Sequence, residues 1–288
     1  MALPLYVERA GHPSAQANVW RGHRPVDADL IGAIARQPQA LWLGDWRHDV
    51  RAAAARRVAA ARSVAALPVL VAYNVPDRDC GQHSSGGAAS GAHYRRWIDA
   101  LADGIGSAAA VVVLEPDGLA ALGCLSTAQR GMRLALLREA VARLSRLPEA
   151  AVYIDAGNPG WTSPAAMARR MRAIGVSRVR GFAVNVSSFE TTARASAYGH
   201  AISRRTGGAP FVIDTSRNGL GPASPVEWCN PPGRALGARP TTQTGDPLID
   251  AFLWIKRPGE SDGPCNGGPP AGTWWPEYAL GLAQRAAP

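Results

Sequence analysis

Seven short apolar runs, at about residues 40–44, 68–74, 110–115, 151–155, 180–186, 210–214 and 249–255, punctuate this chain. Most are separated by segments with helical periodicity, at 27–37, 48–66, 92–104, 128–146, 164–174 and 190–205. Strand alternating with helix over such a length buries its apolar faces in one of two ways, a parallel barrel or a doubly wound open sheet. No G-x-G-x-x-G follows the first run, so the usual dinucleotide-binding form of the open sheet has no support. The polar residues choose between the two. Asn74, Glu115, Asp117, Asp155, Asn185, Asp214 and Lys256 stand at the carboxyl ends of different runs, where barrel enzymes assemble their sites. The expected fold is therefore α/β, a distorted TIM-like (β/α) barrel with seven strands and a substrate cleft at their carboxyl ends. The long loops 75–91 and 215–247, rich in Gly, Pro and Ser, are expected to wall that cleft.

With 288 residues, 47% of them hydrophobic, the chain can bury one large core. No Pro/Ser/Thr-rich linker or internal repeat divides it, so residues 1–288 are expected to form one domain and a monomer. No apolar stretch approaches the roughly 20 residues that span a bilayer, and Met1-Ala2-Leu3-Pro4 lacks the basic-then-apolar order of a signal peptide. No membrane partner is expected, and any export signal is absent from this chain. The formal charge of +9 invites a polyanion reading. Yet the arginines are scattered along helical segments, as in Arg51, Arg56, Arg57 and Arg62, which is the pattern of a solvated face and not of a nucleic-acid site.

Four cysteines, Cys80, Cys124, Cys229 and Cys265, lack C-x-x-C spacing, so neither a zinc site nor another metal or cofactor is expected. Three disulfide pairings are possible. Each cysteine lies a few residues beyond a strand end, and sequential pairing joins loops on one face, so Cys80–Cys124 and Cys229–Cys265 are expected. Each bridge closes a loop of about 40 residues and stabilises by roughly 4 kcal/mol in the chain-entropy model. Two disulfides imply an oxidising, extracellular destination.

Carboxylates end four of the runs: Asp79, Asp117, Asp155, and Glu260 with Asp262. Cleaving an acetal requires one carboxyl group kept protonated and a second group to manage water, so carboxylates converging on one end of a parallel sheet suit a glycosidase. The only lysine, Lys256, lies four and six residues before Glu260 and Asp262, which places it among these groups.

The segments Tyr73-Asn74-Val75-Pro76-Asp77-Arg78-Asp79-Cys80, Val112-Val113-Leu114-Glu115-Pro116-Asp117-Gly118-Leu119, Tyr153-Ile154-Asp155-Ala156-Gly157, Gly181-Phe182-Ala183-Val184-Asn185-Val186-Ser187 and Lys256-Arg257-Pro258-Gly259-Glu260-Ser261-Asp262-Gly263 together resemble glycoside hydrolase family 6. That resemblance, running from about Trp42 to Trp275, implies an inverting β-1,4-glucanase or cellobiohydrolase. It implies that Asp117 is the general acid, its pKa raised by the like charges of Glu115 and Asp79. Asp79 would be the second catalytic carboxylate, drawing a proton from the attacking water through a second water and Ser85. Asp262 matches the residue proposed as the direct base. Tyr73 would lie beneath the sugar to be cleaved, and Trp42, Trp161 and Trp228 match sugar platforms. Lys256 and Glu260 match groups that hydrogen-bond glucose hydroxyls. Asn185 is placed with these substrate-binding residues and also reads as a supporting partner, while Arg78, Asp155 and Arg217 support the site. Nine tryptophans against four phenylalanines favour exposed platforms over core packing.

Two departures stand out. The family usually has Ser-Asn-Gly-Glu where this chain has Ser85-Gly86-Gly87-Ala88, and histidine where it has Asn158. The first leaves loop 81–91 without side-chain anchors, so an open, loosely held loop is expected, and restoring the pattern by Gly86→Asn with Ala88→Glu is expected to help. The expected substrate is a β-1,4-glucan or cello-oligosaccharide, cut in the chain interior. The alternatives are a catalytically weakened glucan-binding protein and a cellobiohydrolase.

Overall fold

The computed structural model describes residues 3–286. Two helices, α1 (His12–Trp20) and α2 (Pro25–Ala35), lead into β1 (Leu41–Leu43). Then α3 (Val50–Arg62), β2 (Val69–Ala72), α4 (Gly91–Ile105), β3 (Ala110–Leu114), α5 (Thr127–Leu144), β4 (Ala150–Asp155), α6 (Pro164–Ile174), β5 (Gly181–Val184), α7 (Thr192–Ser203) and β6 (Phe211–Asp214) follow in strict alternation. A long loop without a helix joins β6 to β7 (Ile249–Leu253), and α8 (Pro276–Gln284) ends the described chain. All seven expected strands form, each pairs in parallel with the next, and spatial order equals chain order. Between β1 and β7 the described residues form no ladder. The seam is crossed by the Ala40 amide donating to the Trp254 carbonyl at 3.1 Å and by Trp42 Nε1 donating to the Ile255 carbonyl at 2.8 Å. The sheet is thus curled into an incompletely closed barrel.

Strand alternation divides the core in two. Val69, Val71, Val111, Val113, Tyr153, Val212 and Leu253 pack against one another inside the barrel. The intervening Leu70, Val112, Ile154 and Ile213 pack outward on Ile98, Leu101, Leu137 and Ile202 of the helices. Strands buried on both faces read as continuous apolar runs, which is why the sequence shows no polar alternation there. Helix starts are set by side-chain caps: Asp49 accepts from Ala52 N, Ser90 from His93 N, and Ser126 with Gln129 forms a capping box before α5.

Helices α1 and α8 went unforeseen. Pro13 and Pro276 open them, but neither carries a strong apolar stripe. Their register is decided by tertiary contact, since Ala17 and Trp20 meet Ile31, Ile34, Trp254, Tyr278 and Leu282 in a third cluster outside the seam. The strands also stop earlier than the apolar runs. Tyr73, Asn74, Asn185, Val186, Trp254 and Ile255 lie past the last strand residues, and backbone groups of Tyr73, Asn74, Asn185, Trp254 and Ile255 find partners outside the regular ladder.

Candidate active site

Ten non-glycine residues among those described have positive φ, and seven of them, Asp77, Asp79, Cys80, Glu115, Asp117, Asn185 and Ser187, crowd the carboxyl ends of β2, β3 and β5. Such backbone persists only where its surroundings over-determine it. Buried carboxylates do this here. Glu115 accepts from Asn74 N at 3.0 and 2.9 Å and from Val75 N at 3.1 Å. Asp155 accepts from Asp117 N at 2.9 Å and Gly157 N at 3.0 Å. Asp214 accepts from Ser187 N, Ser216 N and Lys256 N at 3.0, 2.9 and 2.9 Å, tying the ends of β5, β6 and β7 together.

Asp117 therefore stands on a fixed backbone with its side chain partly open to the cleft. Burial, and then the charge of Asp79, raises its pKa to about 7. The expected contribution from Glu115 is corrected: the Glu115 carboxylate is turned to the β2 end, where it bonds main-chain amides. Burial raises Glu115 itself to about 7 against those same amides. Asp155, raised by burial and then by Asp117, behaves likewise. Asp79 is also raised by burial, an effect opposed by the Ser84 amide at 2.7 Å and by Arg78. Tyr73 sits edge-on to Trp42 at 5.2 Å, and burial with the charges of Asp117 and Asp79 keeps its hydroxyl protonated.

Asp262 has the opposite environment. Its side chain is buried and meets Arg217 Nη1 at 2.7 Å, Lys256 Nζ at 3.0 Å and Asn230 N at 3.0 Å. Burial alone would raise its pKa, but the two cations pull it down to about 2. Lys256 thus lies beside Asp262, while Glu260 pairs with Arg257 at 3.1 Å. Asn185 is fully buried, donating to the Glu190 and Asp214 carbonyls and accepting from Glu190 N, so it latches the β5 loop and has nothing left for a ligand. Its expected substrate contact is corrected accordingly.

Trp161 and Trp228 are 51% and 44% exposed, and Trp42 is partly buried. The disulfides are Cys80–Cys124 and Cys229–Cys265, with Cα separations of 6.2 and 6.1 Å. His83 lies near the second bridge, but disulfide sulfurs offer no thiolate to a metal. The loop carrying Ser85 is not loosely held. Arg78 N donates to Gly86 O at 3.1 Å, Ala88 N to Asn74 O at 2.8 Å, and Arg78 Nε to Ser84 O at 2.8 Å. Main-chain bonds and the Arg78 guanidinium stand in for the missing side-chain anchors. Gly86→Asn would not restore order either, because a Cβ there would lie 2.7 Å from Asp45 Oδ2 at φ +142°.

The model of glycosyl hydrolases family 6 matches residues 3–286. The chain belongs to this family. Within family 6 it is 47% identical over 277 residues to endoglucanase A of Cellulomonas fimi, covering 95% of this chain but 60% of that protein. It is 44% identical to endoglucanase 1 of Streptomyces halstedii, covering 93% of this chain and 85% of the relative. The structure of the endoglucanase Cel6 from Mycobacterium tuberculosis, in complex with methyl-cellobiosyl-4-deoxy-4-thio-β-D-cellobioside, superposes with a TM-score of 0.93 at 48% identity, covering 98% and 97% of the two chains.

Reading the family 6 motifs missed four contributors. Asp45 and Trp46 follow the shortest strand, and Trp46 is 47% exposed beside Tyr73 and Arg78. Arg133, buried in α5, donates to the carbonyls of Pro76, Asp77 and Gly118. Asn230 clasps Asp262 N and the Gly263 carbonyl. Of these only Trp46 had a sequence signal, the surplus of tryptophan.

Proposed function

We propose that this chain is an inverting endo-β-1,4-glucanase, hydrolysing interior bonds of cellulose or related β-glucans as one secreted, monomeric catalytic domain. The observation that carries the reading is Asp117, a carboxyl group whose pKa burial and the adjacent Asp79 raise to about 7, on a sheet end whose loops also carry the exposed Trp46, Trp161 and Trp228. Asp117 protonates the leaving glycosidic oxygen. Asp79, with Ser85 on the loop beside it, takes the proton from the attacking water. Asp262 suits the direct-base role less well, because a carboxylate committed to two cations and an amide is a weak base. It orders Lys256 and Arg217 instead. Tyr73 underlies the distorted sugar. Trp42, Trp161 and Trp228 stack on neighbouring sugars, and Lys256 and Glu260 meet their hydroxyls. The exposure of Trp161 and Trp228 favours an open cleft and interior cutting over a roofed tunnel.

Product analysis on carboxymethyl-cellulose and cello-oligosaccharides tests this. The new reducing end is expected as the α-anomer by NMR, with viscosity falling ahead of reducing-sugar release. A β-anomer first product would overturn inversion, and absence of cleavage would favour a glucan-binding role.

A further inference from the structure

We infer that Asp45 is a positioning residue, clamping the 84–88 loop and with it Ser85 over the carboxylates at the ends of β2 and β3. The inference rests on the hydrolase reading above. Loop 84–88 reads Ser-Ser-Gly-Gly-Ala, so beyond Ser85 it has no side chain able to hold it in place. The anchor comes from the turn after β1. Asp45 Oδ1 accepts from Arg78 Nη1 at 2.9 Å, and Asp45 Oδ2 accepts from Gly87 N at 3.1 Å. Arg78 is buried, and it also donates to the carbonyls of Tyr73, Ser84 and Ser85 at 2.9, 2.8 and 3.4 Å. Ser84 N in turn donates to Asp79 Oδ2 at 2.7 Å. A continuous string of bonds therefore runs from Asp45 through Arg78 and Ser84 to Asp79.

Packing explains why the loop carries glycine there. A Cβ at Gly86 would lie 2.7 Å from Asp45 Oδ2 and 2.8 Å from Arg78 Nη2, so the ion pair occupies the space a side chain would need. Gly86 and Gly87 also have φ of +142° and +96°, which a side chain at either position would strain. Trp46 lies against Arg78, 5.0 Å from its guanidinium, and shields it from the solvent side. Asp45 is 38% exposed and Arg78 only 5%. The clamp thus closes from the surface inward, and its loss loosens the 84–88 loop, which keeps its main-chain bonds to Arg78 and Asn74, while the barrel stays packed.

Asp45→Ala is expected to lower kcat on cello-oligosaccharides roughly tenfold while KM changes less than about twofold, because the indole platforms are untouched. Asp45→Asn keeps an acceptor for Gly87 N and is expected to recover about a third of the lost rate. Hydrogen exchange at Arg78, Ser84 and Gly87 should rise in Asp45→Ala. Gly86→Ala crowds the same carboxylate, so it should reproduce the kcat loss, and the double variant should be no worse than the worse single one. Unchanged exchange with kcat within about twofold of the parent, or losses that simply add in the double variant, would overturn the clamp. Should Asp45→Ala fail to fold, Asp45→Asn and Gly86→Ala carry the same test. Exchange is read without substrate, so the clamp is judged separately from whether the parent chain cleaves β-glucan.

Discussion

A free aspartate titrates at about 4, and the fold moves Asp117 up to about 7 and Asp262 down to about 2. Burial pushes both upward. The difference is the neighbouring charge, that of Asp79 in one case and those of Arg217 and Lys256 in the other. An acid catalyst must be protonated, so kcat is expected to fall as pH rises through about 7, and Asp79→Asn should shift that limb of the residual activity to lower pH while burial keeps it above 4. Asp117→Ala is expected to reduce hydrolysis of unactivated glucan by on the order of 10²–10⁴, with less loss on substrates bearing a good leaving group. Stability carries the same sign. Because the folded-state pKa is raised, folded protein binds the extra proton, and stability is lost as pH climbs from about 4 through about 7. The Tm advantage of Asp117→Asn over the parent should therefore be larger at pH 8 than at pH 4. Asp262 runs the other way, contributing stability above about 4 that disappears as pH falls through about 2. Asp262→Ala leaves Arg217 buried without its anion and should cost about 3–5 kcal/mol in urea unfolding at pH 6, and the deficit should narrow toward pH 2. An unaltered midpoint would refute the ion-pair account.

The elements end abruptly, and their ends are tied by side chains. Asp214 is the main knot: beside its bonds to Ser187, Ser216 and Lys256 it reaches Ile255 N at 3.3 Å, so one carboxylate serves three strand ends. Asp214→Asn would turn an amide NH₂ toward these donors. A loss of roughly 2–3 kcal/mol is expected, with faster hydrogen exchange confined to amides 187, 216, 255 and 256. Uniformly faster exchange across β6 would instead mean that the whole strand depends on it. Element identity was legible because the apolar runs and helical segments alternate so regularly. The strand ends were less so. Apolar character continues through Tyr73 and Ile255 after pairing has stopped, since side chains there still face the barrel core. The local pattern also could not reveal that Asn185 is a buried latch or that Glu115 points away from Asp117, because both depend on backbone with positive φ.

At the scale of the whole molecule, arginines sit along helix faces and several pair locally, as in Arg95–Glu139 and Arg143 with Asp99 and Asp103. Pairs this exposed contribute little. Retention on a DNA or heparin column is expected to vanish by about 0.2 M salt with a shallow salt dependence, whereas a steep slope would reveal an organised anion site. The seven-strand count, the parallel order, the cysteine pairing and the strand-end positions of Asp117, Asp155 and Asp214 were determined by sequence alone, because each follows from periodicity or from position relative to a strand end, whereas Asp79, Glu260 and Asp262 lie in loops well past β2 and β7. The tertiary structure alone decided the seam between β1 and β7, the helices that cover it, the protonation states of Asp117 and Asp262, and the clamp from Asp45. These arise from residues far apart in the chain, Trp42 with Ile255, Asp262 with Arg217, Asp45 with Gly87. Electrostatics and hydrogen bonding act through space, and no window along the chain contains both partners.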